Sequence, residues 1–200
     1  DAYWSAARAW DYFGERHGRN GADGAGGQIS IGVHYGNQYN NAHPMLFGDG
    51  DGVNFNPFVS LDVVGHEFAH LVIANTAGFI NEKESGSLSE SFADIFGTAV
   101  EFYATNNGNY LMAEQVTKNG QGVRSLSDPA SFGDPDHYSK RVKNFDCGYG
   151  GCEVHPNAGI PNKAFHFLAE GGSYQGTSLT GIGRLKAEKI FYRALTVYLY

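Results

Sequence analysis

Two hundred residues with a net charge of −7 suit one domain, or two small lobes sharing a cleft, and can bury a sizeable core. The negative balance argues against nucleic acid or an anionic membrane as partner, and no apolar run approaches the ~20 residues that span a bilayer. Hydrophobic and charged contents of 42% and 18% fall in the globular range and argue against disorder.

Residues 2–17 carry a helical pattern, with Ala6, Ala7, Trp10 and Phe13 on one side. A Gly/Asn-rich turn follows. Residues 28–35 alternate, with Ile29, Ile31, Val33 and Tyr35 facing one way, which predicts a strand. Residues 45–48 predict a second strand, closed by the turn Gly48-Asp49-Gly50-Asp51-Gly52. From Ser60, a capping residue type, the pattern becomes helical. Leu61, Val64, Phe68, Leu71 and Val72 form an apolar stripe to about Asn75, ended by Thr76-Ala77-Gly78.

A loop to Ser87 leads into a further helix with Leu88, Phe92, Ile95, Phe96, Ala99 and Val100 inward. Residues 105–158 are rich in turn signals, among them Asn107-Gly108, Asn119-Gly120, Asp128-Pro129 and Asp134-Pro135. Helical periodicity returns at 161–170, stopped by Gly171-Gly172, and again at 184–200 with Ile190, Phe191, Ala194, Leu195 and Tyr198. Because the chain stops within that pattern, further material is expected beyond residue 200. Cys147 and Cys152 share a glycine-rich loop. That spacing favours a local disulfide over free thiols and implies an oxidising compartment. With no second cysteine pair, a zinc site built on thiolates is disfavoured.

Residues 66–70 read His66-Glu67-Phe68-Ala69-His70, and Glu90 follows twenty residues after the second histidine. On a helix His66 and His70 lie one turn apart on one face, so two imidazoles can grip one ion. Glu67 projects beside them, near the open coordination position, where it can take a proton from an activated water. Glu90 also fits a simpler role, closing a capping box in Ser87-Leu88-Ser89-Glu90. Asp94, one turn beyond Glu90, favours the metal reading, because it is placed to accept the second N–H of a ligand histidine.

Several separate stretches then resemble the thermolysin-like zinc metallopeptidases. They are Asn40-Asn41-Ala42, Gly48-Asp49-Gly50-Asp51-Gly52, Asp62-Val63-Val64-Gly65-His66-Glu67 and Glu90-Ser91-Phe92-Ala93-Asp94-Ile95-Phe96-Gly97. Further on come Arg124-Ser125-Leu126-Ser127-Asp128-Pro129, Gly133-Asp134-Pro135-Asp136-His137-Tyr138-Ser139, and His155 before Asn162-Lys163-Ala164.

The resemblance implies that His66, His70 and Glu90 bind zinc, that Glu67 is the general base, and that His155 stabilises the oxyanion. It implies that Asn41 and the carbonyl of Ala42 hold the substrate backbone as a strand. Arg124 would hydrogen-bond the carbonyl of the residue after the scissile bond, whose side chain would enter a pocket lined by Phe55, Phe58, Val63, Met112 and Val123. Cleavage before Leu, Ile, Phe or Val is expected. Asp62, Glu101 and Glu114 match calcium-binding positions, and hard oxygen ligands suit Ca²⁺. Asn109 and Leu111 stand where a second ion would need carboxylates, so one calcium is expected.

Three departures follow. Asn81 occupies the place of a tyrosine that assists the histidine in many members, and Tyr149 is a candidate substitute. The loop from Cys147 to Cys152 looks like an insertion, and either Asp146 or Glu153 could orient His155. The family's chain begins with a β-rich lobe and ends with more helices, and the resemblance implies that most of the first and the end of the last are expected to lie outside this sequence.

The expected fold is therefore α+β and thermolysin-like, truncated at both ends, with a strand-containing N-terminal part and a mostly helical C-terminal lobe flanking an active-site cleft. Residues 1–58 would be the remainder of the β-containing lobe with the first helix, and 59–200 the helical zinc-binding lobe. The expected function is a secreted zinc endopeptidase acting on peptides and proteins. The rival is an inactive or autolysed metal-binding fragment that serves as target for an inhibitor or propeptide.

Overall fold

The structure, a computed structural model, describes residues 1–105, 107–143 and 153–199. Helix α1 (Ala2–His17) forms over the expected residues and stops at Gly18 in the left-handed conformation (φ 68°), but its buried face is Ala6, Ala9, Tyr12 and Phe13, with Ala7 and Trp10 only half-buried. Helix α2 (Leu61–Ala74) is buried at every residue from Leu61 to Ala69. A helix buried on nearly all sides sits inside other elements, and α1 and α3 (Lys83–Ala104) pack against it. Tyr12, Phe13, Phe47, Phe68 and Phe96 fill the core between them. A second cluster, Ile95, Met112, Leu126, Phe165 and Ala187, lies across α3.

Two glycines set how closely α2 and α3 approach. A Cβ on Gly97 would collide with the Asp62 carbonyl oxygen and lie 3.0 Å from the His66 amide nitrogen, and one on Gly65 would lie 3.0 Å from the Gly97 Cα. Backbone meets backbone here because neither residue has a side chain. Gly97→Ala gains helix propensity of up to ~1 kcal/mol but must push the helices apart, as overpacking costs typically ~1–3 kcal/mol or more. A net loss of about 1–2 kcal/mol in urea unfolding is expected. An unchanged midpoint would show that the crossing has slack.

Helix α3 begins at Lys83, four residues before the expected Ser87. Ser87 lies inside the helix, its hydroxyl donating to the Lys83 carbonyl at 3.0 Å. The capping-box role for Ser87 and Glu90 is thereby excluded, and Glu90 sits in the third turn rather than the first.

The strand expected at 28–35 does not form. Only Gly32 bridges to Leu46, and His34 adopts a positive φ of 57° that breaks the pleat. Ile29 and Ile31 still pack on the core, while Val33 and Tyr35 are exposed. The expected strand 45–48 shortens to β2 (Leu46–Phe47), paired antiparallel with β1 (Ala42–His43). With Gly32 on the far side of β2, β1 is left at the edge.

Within 105–158, β3 (Leu111–Met112) pairs with β4 (Arg124–Ser125), a contact no local pattern signals. A single-turn helix, α4 (Val154–Asn157), precedes α5 (Gly159–Glu170). The Gly171-Gly172 stop opens an unforeseen hairpin, β5 (Gly171–Tyr174) and β6 (Thr177–Thr180). Its turn places Gln175 and Gly176 at positive φ, as a two-residue hairpin loop requires. The expected helix 184–200 is α6 (Arg184–Arg193), continued by a wider π turn over Ala194–Tyr198. No helix of the described residues is long and apolar enough to cross a membrane.

Candidate metal centre

The α2–α3 crossing brings Glu90 over the two histidines of α2. His66 Nε2 and His70 Nε2 lie 3.0 Å apart. Glu90 Oε2 is 3.4 Å from His66 Nε2, and Glu90 Oε1 is 3.4 Å from His70 Nε2. Ligand bonds of about 2.0–2.1 Å to a tetrahedral Zn²⁺ imply donor-to-donor edges of about 3.3–3.4 Å, so this triangle has the right size. One observation tests the fit independently. Glu90 Oε2 is buried without any hydrogen-bond partner, a costly state for a carboxylate unless a cation completes it. Among the described residues no other trio of His, Cys, Asp or Glu offers ligand atoms this close together. Two imidazoles and a carboxylate suit zinc.

Asp94 fixes the ring of His66. Its Oδ1 lies 2.9 Å from His66 Nδ1, which keeps a proton on Nδ1 and turns Nε2 toward the centre. His70 Nδ1 has the Ser89 hydroxyl at 3.4 Å.

Burial lowers the pKa of His66, but the hydrogen bond to Asp94 and the nearby charges of Asp94 and Glu90 outweigh it and lift the pKa to about 10. Burial and the His66 charge drive His70 down to about 4. Burial raises Glu90, but the surrounding histidines hold it at about 2. A divalent cation entering here must therefore displace a proton from His66.

Glu67 lies beside this centre on the wall of a cleft of about 570 Å³. It is buried, and burial raises its carboxyl to about 7 despite the opposing charge of His66. Asn41, Ala42, Phe58, Val63, Met112, Val123, Arg124 and His155 also line the cleft, as does Asn81. Phe55 does not. It packs against Phe58 with ring centroids 5.6 Å apart, and its backbone bridges to Thr117, so it backs the wall instead of forming it.

His155, on α4, keeps its side chain 61% exposed with Nε2 3.3 Å from Glu90 Oε2. Desolvation in the cleft lowers its pKa. Glu153 is buried, but no hydrogen bond joins it to His155. Asp146, Tyr149, Cys147 and Cys152 lie outside the described residues. Arg124 Nε and Nη2 grip Asp94 at 3.0 and 2.7 Å. Asn162, noticed in sequence only as part of a motif, donates to Asp94 Oδ2 at 2.9 Å.

Away from the cleft, Asp62 and Glu101 are buried and Glu114 half-buried beside them. Asp62 accepts the Ala113 amide, and Glu101 Oε2 accepts the Asn109 amide at 3.1 Å. Asp62 Oδ1 and Glu114 Oε2 have no partner.

The chain matches two family models. The thermolysin metallopeptidase catalytic domain covers residues 1–74, and the thermolysin metallopeptidase alpha-helical domain covers 77–200. It is 48% identical to a bacillolysin of Bacillus caldolyticus, over all of this chain and 38% of that protein. It is also 48% identical to a thermolysin of Alicyclobacillus acidocaldarius subsp. acidocaldarius, over all of this chain and 37% of that protein. The chain thus spans well under half the length of these curated relatives. Among solved structures, the precursor of protealysin, a metalloproteinase from Serratia proteamaculans, aligns with a TM-score of 0.80 at 32% identity, covering 98% of this chain and 65% of that one. Similarity that covers the whole chain in sequence and 98% of it in fold identifies this chain as a member of the thermolysin metallopeptidase family.

Proposed function

We propose that the protein is a secreted zinc-dependent endopeptidase that cuts peptide bonds on the N-terminal side of bulky hydrophobic residues. The observation that carries this reading is the convergence of His66, His70 and Glu90 at a cleft whose wall also bears Glu67. We further assign residues 1–58 and 59–200 to the two lobes.

Held by His66, His70 and Glu90, zinc would lower the pKa of a bound water to about 7 and polarise the scissile carbonyl. Glu67 accepts the proton of the attacking water and returns it to the leaving amine. A pKa near neutrality suits both transfers. His155 presents an N–H to the carbonyl oxygen as charge develops there. Ala42 opens β1 and Asn41 directly precedes it, at the edge of the strand facing away from β2, where an extended peptide can add as a strand. Arg124 spends two donors on Asp94 and has others left for a substrate carbonyl. Phe58, Val63, Met112 and Val123 make an apolar receptor for the following side chain. Beside peptide substrates, a propeptide or protein inhibitor would bind the same cleft. The similar solved protein is itself a precursor.

Zinc analysis paired with cleavage-site profiling on a peptide library tests this reading. One zinc per chain and cuts before Leu, Ile, Phe and Val are expected. A zinc-loaded chain that leaves the library intact would favour the inert fragment that only binds an inhibitor or propeptide.

We also propose one structural Ca²⁺ at Asp62, Glu101 and Glu114, supported by their two unpartnered buried oxygens. Burial, then the nearby Asp62 and Glu114 charges, raise Glu101 to about 8 against the opposing amide bond from Asn109. A carboxyl raised on folding stabilises below its unfolded pKa and loses that contribution as pH climbs through the folded one. The calcium-free protein should therefore weaken between about pH 4.5 and 8 from this group. Millimolar Ca²⁺ should raise the melting temperature more near pH 8 than near pH 6. An equal gain at both would remove Glu101 from the site.

A further inference from the structure

Asp94 can accept at four lone-pair positions, and all four are used. Oδ1 takes His66 Nδ1 at 2.9 Å and Arg124 Nη2 at 2.7 Å; Oδ2 takes Arg124 Nε at 3.0 Å and Asn162 Nδ2 at 2.9 Å. The last donor comes from α5 and is itself held. Asn162 Oδ1 accepts the Ser91 hydroxyl at 2.7 Å. Ser91, Asp94 and Asn162 are 0%, 0% and 1% exposed, so water cannot replace any of these bonds.

Ser91 and Asp94 stand three residues apart on one face of α3, and the Asn162 amide spans them. An amide has a donor end and an acceptor end. Flipped, it would set its oxygen against the ionised Asp94 and leave the Ser91 hydroxyl without an acceptor. Asp94 and the Ser91 hydroxyl therefore act together, one at each end of the amide, to hold its donor end on the carboxylate.

We infer that Ser91 and Asn162 form a positioning pair for the metal centre, setting the plane of the Asp94 carboxylate and through it the ring of His66. The inference rests on the zinc reading given above. Neither residue touches the ion or the substrate. Without the Asn162 donor, Asp94 Oδ2 keeps one partner and the carboxylate is free to rotate toward Arg124, away from His66 Nδ1. Outer partners of metal ligands typically carry about 10–100-fold in affinity. This pair sits one bond further out, so an effect of about tenfold is expected for Asn162 and about threefold for Ser91.

The test is competition for Zn²⁺ against a chelator of known affinity, with Asn162→Leu and Ser91→Ala, at neutral pH. NMR of the His66 Nδ1–H resonance in the zinc-loaded protein is the second readout, since a purely structural role would leave it in place. The expected results are zinc affinity about tenfold weaker for N162L and about threefold weaker for S91A, a shifted Nδ1–H in both, and a double variant no worse than N162L alone. Parental zinc affinity with an unmoved resonance in folded N162L overturns the proposal. If N162L does not fold, S91A decides alone, and parental values there overturn it equally. A parent chain that takes up no zinc overturns the metal reading itself, whereas a zinc-binding parent with indifferent variants overturns only this pair.

Discussion

Glu67→Gln is expected to lower kcat about 10³-fold while the protein keeps its zinc. General acid–base groups contribute typically 10²–10⁴-fold, and the amide cannot take a proton from water. Zinc content should hold because Glu67 is not among the three side chains that converge on the centre. Stability should also hold or rise. Glu67 is buried and raised to about 7 by that burial, so folding gains nothing from its charge, and a neutral isostere relieves the cost. The parent's kcat/KM should rise with pH along an acid limb as Glu67 deprotonates. That limb should lie at or below about pH 7, since a cation nearby favours the carboxylate. Kinetics on one peptide, zinc stoichiometry and a thermal melt check all three points. An E67Q enzyme that retains the parental kcat would take Glu67 out of the chemistry, and one that loses zinc would make it a ligand.

Asp94→Ala should strike both the metal centre and the fold. Asp94 is fully buried and meets the Arg124 guanidinium through two hydrogen bonds. Removing one member of a buried pair leaves the other charge uncompensated, at a cost of about 3–5 kcal/mol. His66 and Asn162 lose their acceptor at the same time. Urea unfolding in the presence of chelator isolates this loss from any metal effect. Zinc competition should then show affinity reduced by about 10–100-fold in the protein that remains folded.

The sign with pH is fixed by the direction of the Asp94 shift. Arg124 and His66 outweigh burial and hold its carboxyl well below the ordinary range. Its contribution is therefore complete at neutral pH and disappears only in strong acid. Across the neutral range the parent and Asp94→Ala should differ by a nearly constant amount. A difference below about 1 kcal/mol would mean that Arg124 finds water or another acceptor when Asp94 is gone.

How far local chemistry reaches is clearest on α2. His66, Glu67 and His70 had to lie on adjoining faces of one helix, because 3.6 residues per turn decides that wherever the helix goes. The helices α1 and α2, the stop at Gly171-Gly172 and the placing of Glu67 beside two imidazoles were legible for the same reason, although the face that α1 buries was not. Phe55 was not, since backing the cleft wall and forming it demand the same kind of residue. The strand at 28–35 failed because alternation describes a willing strand but not a partner, and His34 leaves the pleat at a positive φ.

What tertiary structure alone decided is the meeting of segments far apart in the chain. Glu90 reaches the histidines because Gly65 and Gly97 let two backbones touch. Arg124 reaches Asp94 because β4 pairs with β3, and Asn162 arrives from α5, sixty-eight residues beyond the carboxylate it holds. Hydrogen-bond partners so distant in sequence are chosen by packing, and a residue's own neighbours carry no record of that choice.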